Sequence, residues 1–542
     1  MKSYTIEQVK AHNKPNDCWI IIEGKVFDVT NFLSEHPGGK KVLAKVAGKD
    51  ATKSFKMFHN DSIMQRIGLP MQIGVIGTDK AAEEKPQKST VTTINPSSIR
   101  NATTAVSNSL TNNQVAKFGE GIPYGDPSWY QEWNSPYYNE SHIKVRNAVR
   151  EWVEKEITPF CHEWSEKKEI PKSVLKSAAK IGFLAAVSGA GTDPKMAHLL
   201  PYGLPGGVDP AEFDIFTEFV CMDELARCGS GGLIWALEGG LSIGLPPVIN
   251  FANEELKNRI VPECLAGDKV ISLCITEPSA GSDVANLATT AKDMGDYFLV
   301  NGEKKWITQG AFADYYTVAV RTAEGQGMEG ISLLLIERTF PGVNARKMDC
   351  QGMWGSGTSY ITFDDVRVPK THLIGELNEG FKYVMHNFNH ERLSIVMQAS
   401  RLSRVCIEEA LKYALKRKTF GQRLVDHAVL RNKFGHMIRQ CEATHAWLES
   451  ILYQYKTLPH ETQATILAGP IALLKAQSTQ TFEYCAREAA QIFGGLAYTR
   501  GGQGEKIERL YREVRAYAIP GGSEEIMLDL GVRQAIKKCS KL

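Results

Sequence analysis

The sequence predicts a multidomain chain: a small α+β domain first, then a larger unit in which a β domain lies between two helical ones. Three observations predict this. Residues 1–77 alternate short β-patterned runs with short helical ones. Residues 78–119 are dominated by charged residues and then by Ser, Thr and Asn, with little periodicity. Beyond them the apolar spacing is helical to about residue 268, alternating over 269–370, and helical again over 371–542. At 542 residues the chain is also too long for one ordinary core.

In the first domain, Asp17-Cys18-Trp19-Ile20-Ile21-Ile22, then Glu23-Gly24, then Lys25-Val26-Phe27-Asp28-Val29 read as two strands about a turn. Helical stretches follow from Lys40 and from Asp50, the first stopped by Gly48. His36 opens a His-Pro-Gly-Gly segment, and His59 ends the second helical stretch. Two neutral imidazoles beside an apolar patch can fill both axial positions of a haem iron, an arrangement suited to electron transfer. The set D-C-W, G-x-V-x-D-V-T-x-F, H-P-G-G and A-G-x-D-A-T-x-x-F resembles a cytochrome b5 domain over nearly the whole segment. The resemblance implies haem b with His36 and His59 as metal ligands. Val42, Phe55 and Phe58 are then candidate wall residues. No C-x-x-C-H is present, so attachment is expected to be non-covalent.

Residues 78–119 read as a flexible tether, with a coil span of about 35 Å. Charge is balanced, Lys+Arg 63 against Asp+Glu 61, which gives no basic face for nucleic acid. The eleven cysteines are scattered, as in a reducing compartment. No apolar run is expected to reach the roughly 20 residues that span a bilayer. The chain ends in Ser540-Lys541-Leu542, a peroxisomal address, so a peroxisomal import receptor is an expected partner and the cytosol the alternative location.

In the large unit, residues 137–186 carry helical patterning, and 187–212 are Gly- and Pro-rich and read as a loop insertion. Helices are expected over 212–226 and 232–248. Strands follow, with Asn301-Gly302 as a hairpin signal. Four segments stand out. Leu273-Cys274-Ile275-Thr276 leads from a strand into Glu277-Pro278-Ser279-Ala280-Gly281-Ser282-Asp283, a turn of small and hydroxylated residues that lets a large ligand approach the backbone. Trp306-Ile307-Thr308 lies one strand further on. Arg417-Lys418-Thr419-Phe420-Gly421 offers a guanidinium fork for phosphate, with His427 beyond it. The fourth is Gln491-Ile492-Phe493-Gly494-Gly495.

Together T-E-P-x-x-G-S-D, W-I-T, R-x-T-F-G and Q-x-x-G-G resemble the acyl-CoA dehydrogenases. The resemblance implies a helical domain, a central β-barrel domain and a C-terminal helical bundle, with FAD as cofactor and an acyl-CoA thioester as substrate. It further implies a homo-oligomer, dimer or tetramer, and an external electron carrier as a possible partner. Leu273, Cys274, Ile275, Thr276, Ser282, Trp306, Ile307, Thr308, Arg417, Thr419, Phe420, His427, Gln491, Gly494, Gly495, Ser523 and Glu524 fall at cofactor-binding positions. Ser282, Asn389, Arg392, Gly521 and Gly522 fall at substrate-binding ones.

The chemistry needs a carboxylate to remove the α-proton and donors to polarise the thioester carbonyl. In many family members the carboxylate lies where this chain has Gly521, which has no side chain for the task. A second family arrangement places Glu on an earlier helix, matched here by Glu391-Arg392-Leu393. Glu391 is therefore the expected base, with Glu524 and Glu525 behind it. Gly521 keeps its N–H for the thioester carbonyl, and its missing side chain is expected to leave room for a bulky, branched or long acyl chain. Electrons are expected to pass to the fused haem or to an external carrier. The alternatives are an oxidase that passes them to oxygen, and a relative acting on a non-CoA substrate.

Overall fold

The structure, a computed structural model, describes residues 2–36, 39–59, 64–77, 118–189, 194–324 and 327–539. All but the end of the tether, and the Ser540-Lys541-Leu542 terminus, lie outside the described residues. The chain divides into two compact units, 1–119 with 130–132, and 120–129 with 133–542.

The first unit is built on a five-stranded sheet in the order β1-β5-β4-β3-β2, with β1 Lys2–Tyr4, β2 Asn13–Lys14, β3 Asp17–Ile22, β4 Lys25–Asp28 and β5 Gln72–Ile76. Side chains alternate across a strand, so β3 serves two small cores. Ile20 and Ile22 pack with Phe27, Val29, Leu33 and Leu43, while Ile21 packs with Val26 and Val9 on the other face. Helix α1 (Ile6–Ala11) starts at a capping box between Thr5 and Gln8. Helices α2 (Lys40–Val46) and α3 (Thr52–Phe58) cover the larger core.

In the second unit the helix–strand–helix order expected from the sequence is observed. Helices α4 (Glu140–Trp152), α5 (Ile215–Ala226), α6 (Gly231–Ile243), α7 (Pro246–Phe251) and α8 (Glu254–Leu265) precede the sheet. The sheet runs β11-β12-β8-β7-β9-β10-β13, with β6 paired to β9. Its strands are β6 Ile271–Cys274, β7 Thr290–Asp293, β8 Tyr297–Ile307, β9 Tyr315–Arg321, β10 Ile331–Glu337, β11 Val343–Lys347, β12 Ser359–Pro369 and β13 Leu373–Ile374. Both β9 and β10 are almost wholly buried and read as continuous apolar runs. The long helices α9 (Gly380–Lys416), α10 (Ala428–Thr457) and α11 (His460–Phe493) then pack together. Helices α12 (Glu505–Ala518) and α13 (Glu524–Cys539) complete the bundle.

Two sequence expectations need correction. Asn301-Gly302 makes no hairpin: β8 runs straight through it, because Asn301 exchanges hydrogen bonds with Asp365 at 2.9 and 3.0 Å, and Gly302 sits where a side chain would strike Thr289. The segment Gly231–Phe251 is, by length and composition, apolar enough to cross a membrane. It is α6 and α7, and its apolarity is explained by burial inside the unit. The Gly- and Pro-rich stretch before α5 holds only short 3-10 turns in its described part, as expected of a loop, and is anchored by Leu199, Leu204 and Val208 in the main core.

Nine of the eleven cysteines are buried, leaving Cys350 half-buried and Cys539 exposed.

Candidate functional site

In the first unit, the rings of His36 and His59 face each other with centroids 5.8 Å apart. Two imidazoles sharing one metal at about 2.0 Å per nitrogen place their centres roughly 6 Å apart, so the pair has the spacing of two axial ligands. His59 Nδ1 lies 3.2 Å from the Phe55 carbonyl, which it reaches as an N–H donor, leaving Nε2 for a metal. The Phe55 ring stacks on His59 at 4.7 Å. Burial lowers the pKa of both histidines, favouring the neutral form that ligates. Val42 is an exposed apolar side chain, and that of Phe58 lies outside the described residues.

In the second unit, the loop after β6 is held by a buried ion pair. Lys304 Nζ is 2.7 Å from Glu277 Oε1 and donates to the Ile275 carbonyl at 3.0 Å. Glu277 also accepts from the Ala288 and Thr289 N–H groups at 2.6 and 3.0 Å. The Lys305 N–H donates to the Thr276 carbonyl at 2.9 Å, which brings the two segments 273–282 and 306–308 together. Trp306 takes a left-handed backbone, φ 59°, and its ring is half exposed beneath Lys305. Leu273 is half-buried, Cys274, Ile275 and Ile307 are buried, Thr276 and Thr308 are half-buried, and Ser282 is exposed. The result is an indole, hydroxyls and bare backbone along one open edge.

A second cluster forms where α9 and α11 end. Tyr413 and Phe493 stack at 4.5 Å, which brings together the last turns of α9 and α11, from which the Arg417–Gly421 and Gly494–Gly495 segments start. Strands β14 (Lys418–Thr419) and β15 (Gln422–Arg423) pair across Phe420-Gly421. His427 reads both strands, with Thr419 Oγ1 at 3.2 Å and Gln422 Nε2 at 3.0 Å. Arg417, Gln491, Gly494 and Gly495 are exposed, and the Phe420 side chain is 98% exposed.

The third cluster is Glu391 against the turn between α12 and α13. A Cβ built on Gly521 would lie 2.9 Å from Ile395 Cδ1, 3.6 Å from Arg392 Cγ and 3.9 Å from Glu391 Oε1. The space beside Gly521 is thus filled by α9, which corrects the expectation that it lies open for an acyl chain. Gly521 has φ 67° and Gly522 φ 106°, both unfavourable to a side chain. Arg392 Nε donates to the Gly521 carbonyl at 2.9 Å and its Nη1 to Asn389 at 3.3 Å, so this expected substrate residue also fastens the turn. Glu391 Oε2 is buried with no hydrogen-bond partner among the described residues. Burial raises its pKa against the pull of Arg392 and Lys475. A buried, unpartnered carboxylate oxygen with a raised pKa is the condition of a general base. Ser523 and Glu524 start α13, with Glu524 3.4 Å from Thr479 and Gln480.

The family descriptions "Acyl-CoA dehydrogenase, N-terminal domain", "middle domain" and "C-terminal domain" match residues 139–268, 272–366 and 378–536. A relative from Alternaria alternata, "Acyl-CoA dehydrogenase AFT10-1", is 42% identical over 78% of this chain and 98% of its own length. The chain belongs to the acyl-CoA dehydrogenase family. Another acyl-CoA dehydrogenase relative, "apdG" from Emericella nidulans, is 38% identical over 77% of this chain and 95% of its own. A solved probable acyl-CoA dehydrogenase from Mycobacterium abscessus superposes with TM-score 0.67 at 32% identity, covering 74% of this chain and all of that one. Residues 5–77 match "Cytochrome b5-like Heme/Steroid binding domain". The chain is therefore an oxidoreductase of the acyl-CoA dehydrogenase family preceded by a cytochrome b5-like domain.

The residues present fit the groups the two families imply. The His36–His59 spacing suits haem, and the open edge at Thr276 and Trp306 suits an isoalloxazine ring. Motif reading missed what supports this acyl-CoA dehydrogenase site. Lys304 lies in a strand that shows only alternation. His390, beside the expected base, is 2.8 Å from buried Glu218; burial lowers its pKa but Glu218 brings it up to about 8. Glu238 accepts from Gln398 Nε2 at 2.6 Å, and burial raises it to about 7. Lys475 is buried in an otherwise apolar run, Ala472-Leu473-Leu474-Lys475-Ala476, where only its charge marks it as unusual.

Proposed function

We propose that this chain is an FAD-dependent acyl-CoA dehydrogenase that converts an acyl-CoA thioester to the trans-2-enoyl-CoA, with the electrons leaving through its own b5 domain or an external carrier. The observation that carries the reading is the approach of the Glu391 carboxylate to Gly521. Glu391 Oε1 would lie 3.9 Å from a Cβ at Gly521, so the carboxylate stands beside the position where many family members carry their base.

Glu391 takes the α-proton on Oε2, the oxygen with no partner to lose. The Gly521 N–H donates to the thioester carbonyl, and Arg392 and Gly522 hold the turn that aims it. Ser282 and Asn389 meet the acyl-CoA. Leu273 to Thr276, Trp306 to Thr308, Ser523 and Glu524 hold FAD, while Arg417, Thr419, Phe420, His427, Gln491, Gly494 and Gly495 complete its site from a second copy of the chain. The near-total exposure of Phe420 supports that assembly. When bound, FAD supplies a hydride acceptor for the β-carbon, and haem b held by His36 and His59 supplies a one-electron acceptor. The Ser540-Lys541-Leu542 terminus supports import into the peroxisome.

The test is anaerobic mixing of the loaded protein with a panel of acyl-CoAs while flavin and haem absorbance are followed together. Bleaching of the flavin followed by haem reduction is expected. Bleaching with the haem left oxidised would rule out the internal route. Glu391→Gln is expected to abolish bleaching, and an undiminished rate would remove Glu391 from its role.

A further inference from the structure

Helix α11 buries one ammonium beside the proposed base. Lys475 has no exposed surface, and its neighbours Ala472 and Ala476 pack on Met527 in a small apolar core. A buried ammonium is costly unless its N–H groups are used. Lys475 Nζ donates to the Ala518 carbonyl at 2.7 Å and to the Gly522 carbonyl at 2.7 Å. Ala518 is the last residue of α12, so its carbonyl is among those a helix end leaves without an internal partner. Arg392 Nε takes the Gly521 carbonyl between them. Two cations from two helices thus hold three carbonyls of the turn that presses Gly521 against Glu391.

Neutral donors could also satisfy those carbonyls, through weaker bonds, so the charge is read from what else it faces. Lys475 faces Glu391 and Arg392 on α9, Glu524 on α13 and Arg515 on α12. Glu391 in turn faces Arg392, Lys475 and His390, and His390 faces Glu218 on α5 and Glu238 on α6. We propose that Lys475 is a positioning residue for proton abstraction. Its ammonium closes the 518–522 turn onto Glu391 and sets a fixed positive charge behind that carboxylate. The inference rests on the reading of Glu391 as the base. Burial lowers the Lys475 pKa to about 8, so the charge is present at neutral pH and is lost just above it.

The experiment is the rate of anaerobic flavin reduction by saturating acyl-CoA between about pH 4 and pH 10, a range spanning a raised carboxylate and a lowered lysine. It is run on the wild type, Lys475→Met, Lys475→Arg and Glu391→Gln. Removing a positive neighbour destabilises a carboxylate, so in Lys475→Met the acid limb is expected to move to higher pH, with a rate loss below it of up to about tenfold for each unit of movement. In Lys475→Arg the acid limb is expected to stay in place. The fall above about pH 8, where the wild-type ammonium gives up its charge-assisted bonds, is expected to disappear. An unmoved acid limb in Lys475→Met, or an alkaline fall that persists in Lys475→Arg, would overturn the proposal. If Lys475→Met does not fold, the Lys475→Arg alkaline limb decides alone. Activity surviving in Glu391→Gln would bring down the base assignment itself. An inactive Glu391→Gln beside an unmoved Lys475→Met limb would bring down only this inference.

Discussion

Glu391 Oε1 lies 3.9 Å from where a Cβ on Gly521 would sit, and that closeness has consequences at the scale of the residue. A side chain at 521 meets Ile395 at 2.9 Å and adopts φ 67°, so Gly521→Ala is expected to cost about 1–3 kcal/mol. It is also expected to reduce kcat more than flavin content, because Ile395, one turn along α9 from Glu391, must shift to admit the methyl. Thermal melting and the flavin-to-protein absorbance ratio check the two halves separately. The Glu391-Arg392-Leu393 triplet pointed to this site through its resemblance to the family, and Gly521 supported it by lacking a carboxylate. The contact itself was not legible, since 130 positions separate the two and only folding brings α9 to the turn. Lys475 had no local signal at all, because a single lysine in an apolar helix reads as its exposed face.

Elements account for why the expected flavin segments act as one. Thr276 and Trp306 meet because Lys305 hydrogen-bonds to the loop backbone and Lys304 is buried on Glu277, the residue inside the T-E-P signature that looked most available for chemistry. Its work is structural. Lys304→Met leaves the Glu277 carboxylate buried without its cation, at a cost of about 3–5 kcal/mol. The variant is expected to purify with depleted flavin, and Lys304→Met with Glu277→Gln is expected to recover part of the loss. An unchanged flavin-to-protein ratio in the single variant would show that the pair does not hold the loop. The strand order was legible from alternation and the long helices from their period. Asn301-Gly302 misled because a strong turn dipeptide can be outvoted by pairing: β8 has partners on both sides, β7 and β12, and a turn there would break both ladders. The apolarity of Gly231–Phe251 is likewise a property of its surroundings.

Across the whole large unit, the first and last helical parts are joined by a buried ionic centre. Asp126 Oδ1 accepts from Arg227 at 2.9 Å, Arg150 at 3.1 Å and Arg401 at 3.2 Å, residues drawn from α4, the end of α5, and α9. Burial alone would raise the Asp126 pKa; Arg401, Arg227 and Arg150 bring it down to about 2. A carboxylate depressed in the folded state stabilises above its unfolded pKa and loses that contribution as pH falls through the folded one. Asp126→Asn is therefore expected to cost about 3–5 kcal/mol at neutral pH, with the gap to the wild type narrowing by roughly 2–3 kcal/mol between about pH 4 and pH 2, as denaturant midpoints at each pH would show. None of this was visible in a sequence whose charges nearly cancel, because composition reports how many charges there are and not which are enclosed.

The enclosure of the cysteines has a practical side. Burial pushes up the pKa of the Cys161, Cys228, Cys264, Cys274, Cys406 and Cys441 thiols, and a thiol held protonated is a poor nucleophile. Among the described residues only Cys539 stands in the open, one position short of the terminal tripeptide. The native chain thus offers Cys539 as its most accessible attachment point for a dye or spin label, at the end of α13, with the half-buried Cys350 the one to block or replace.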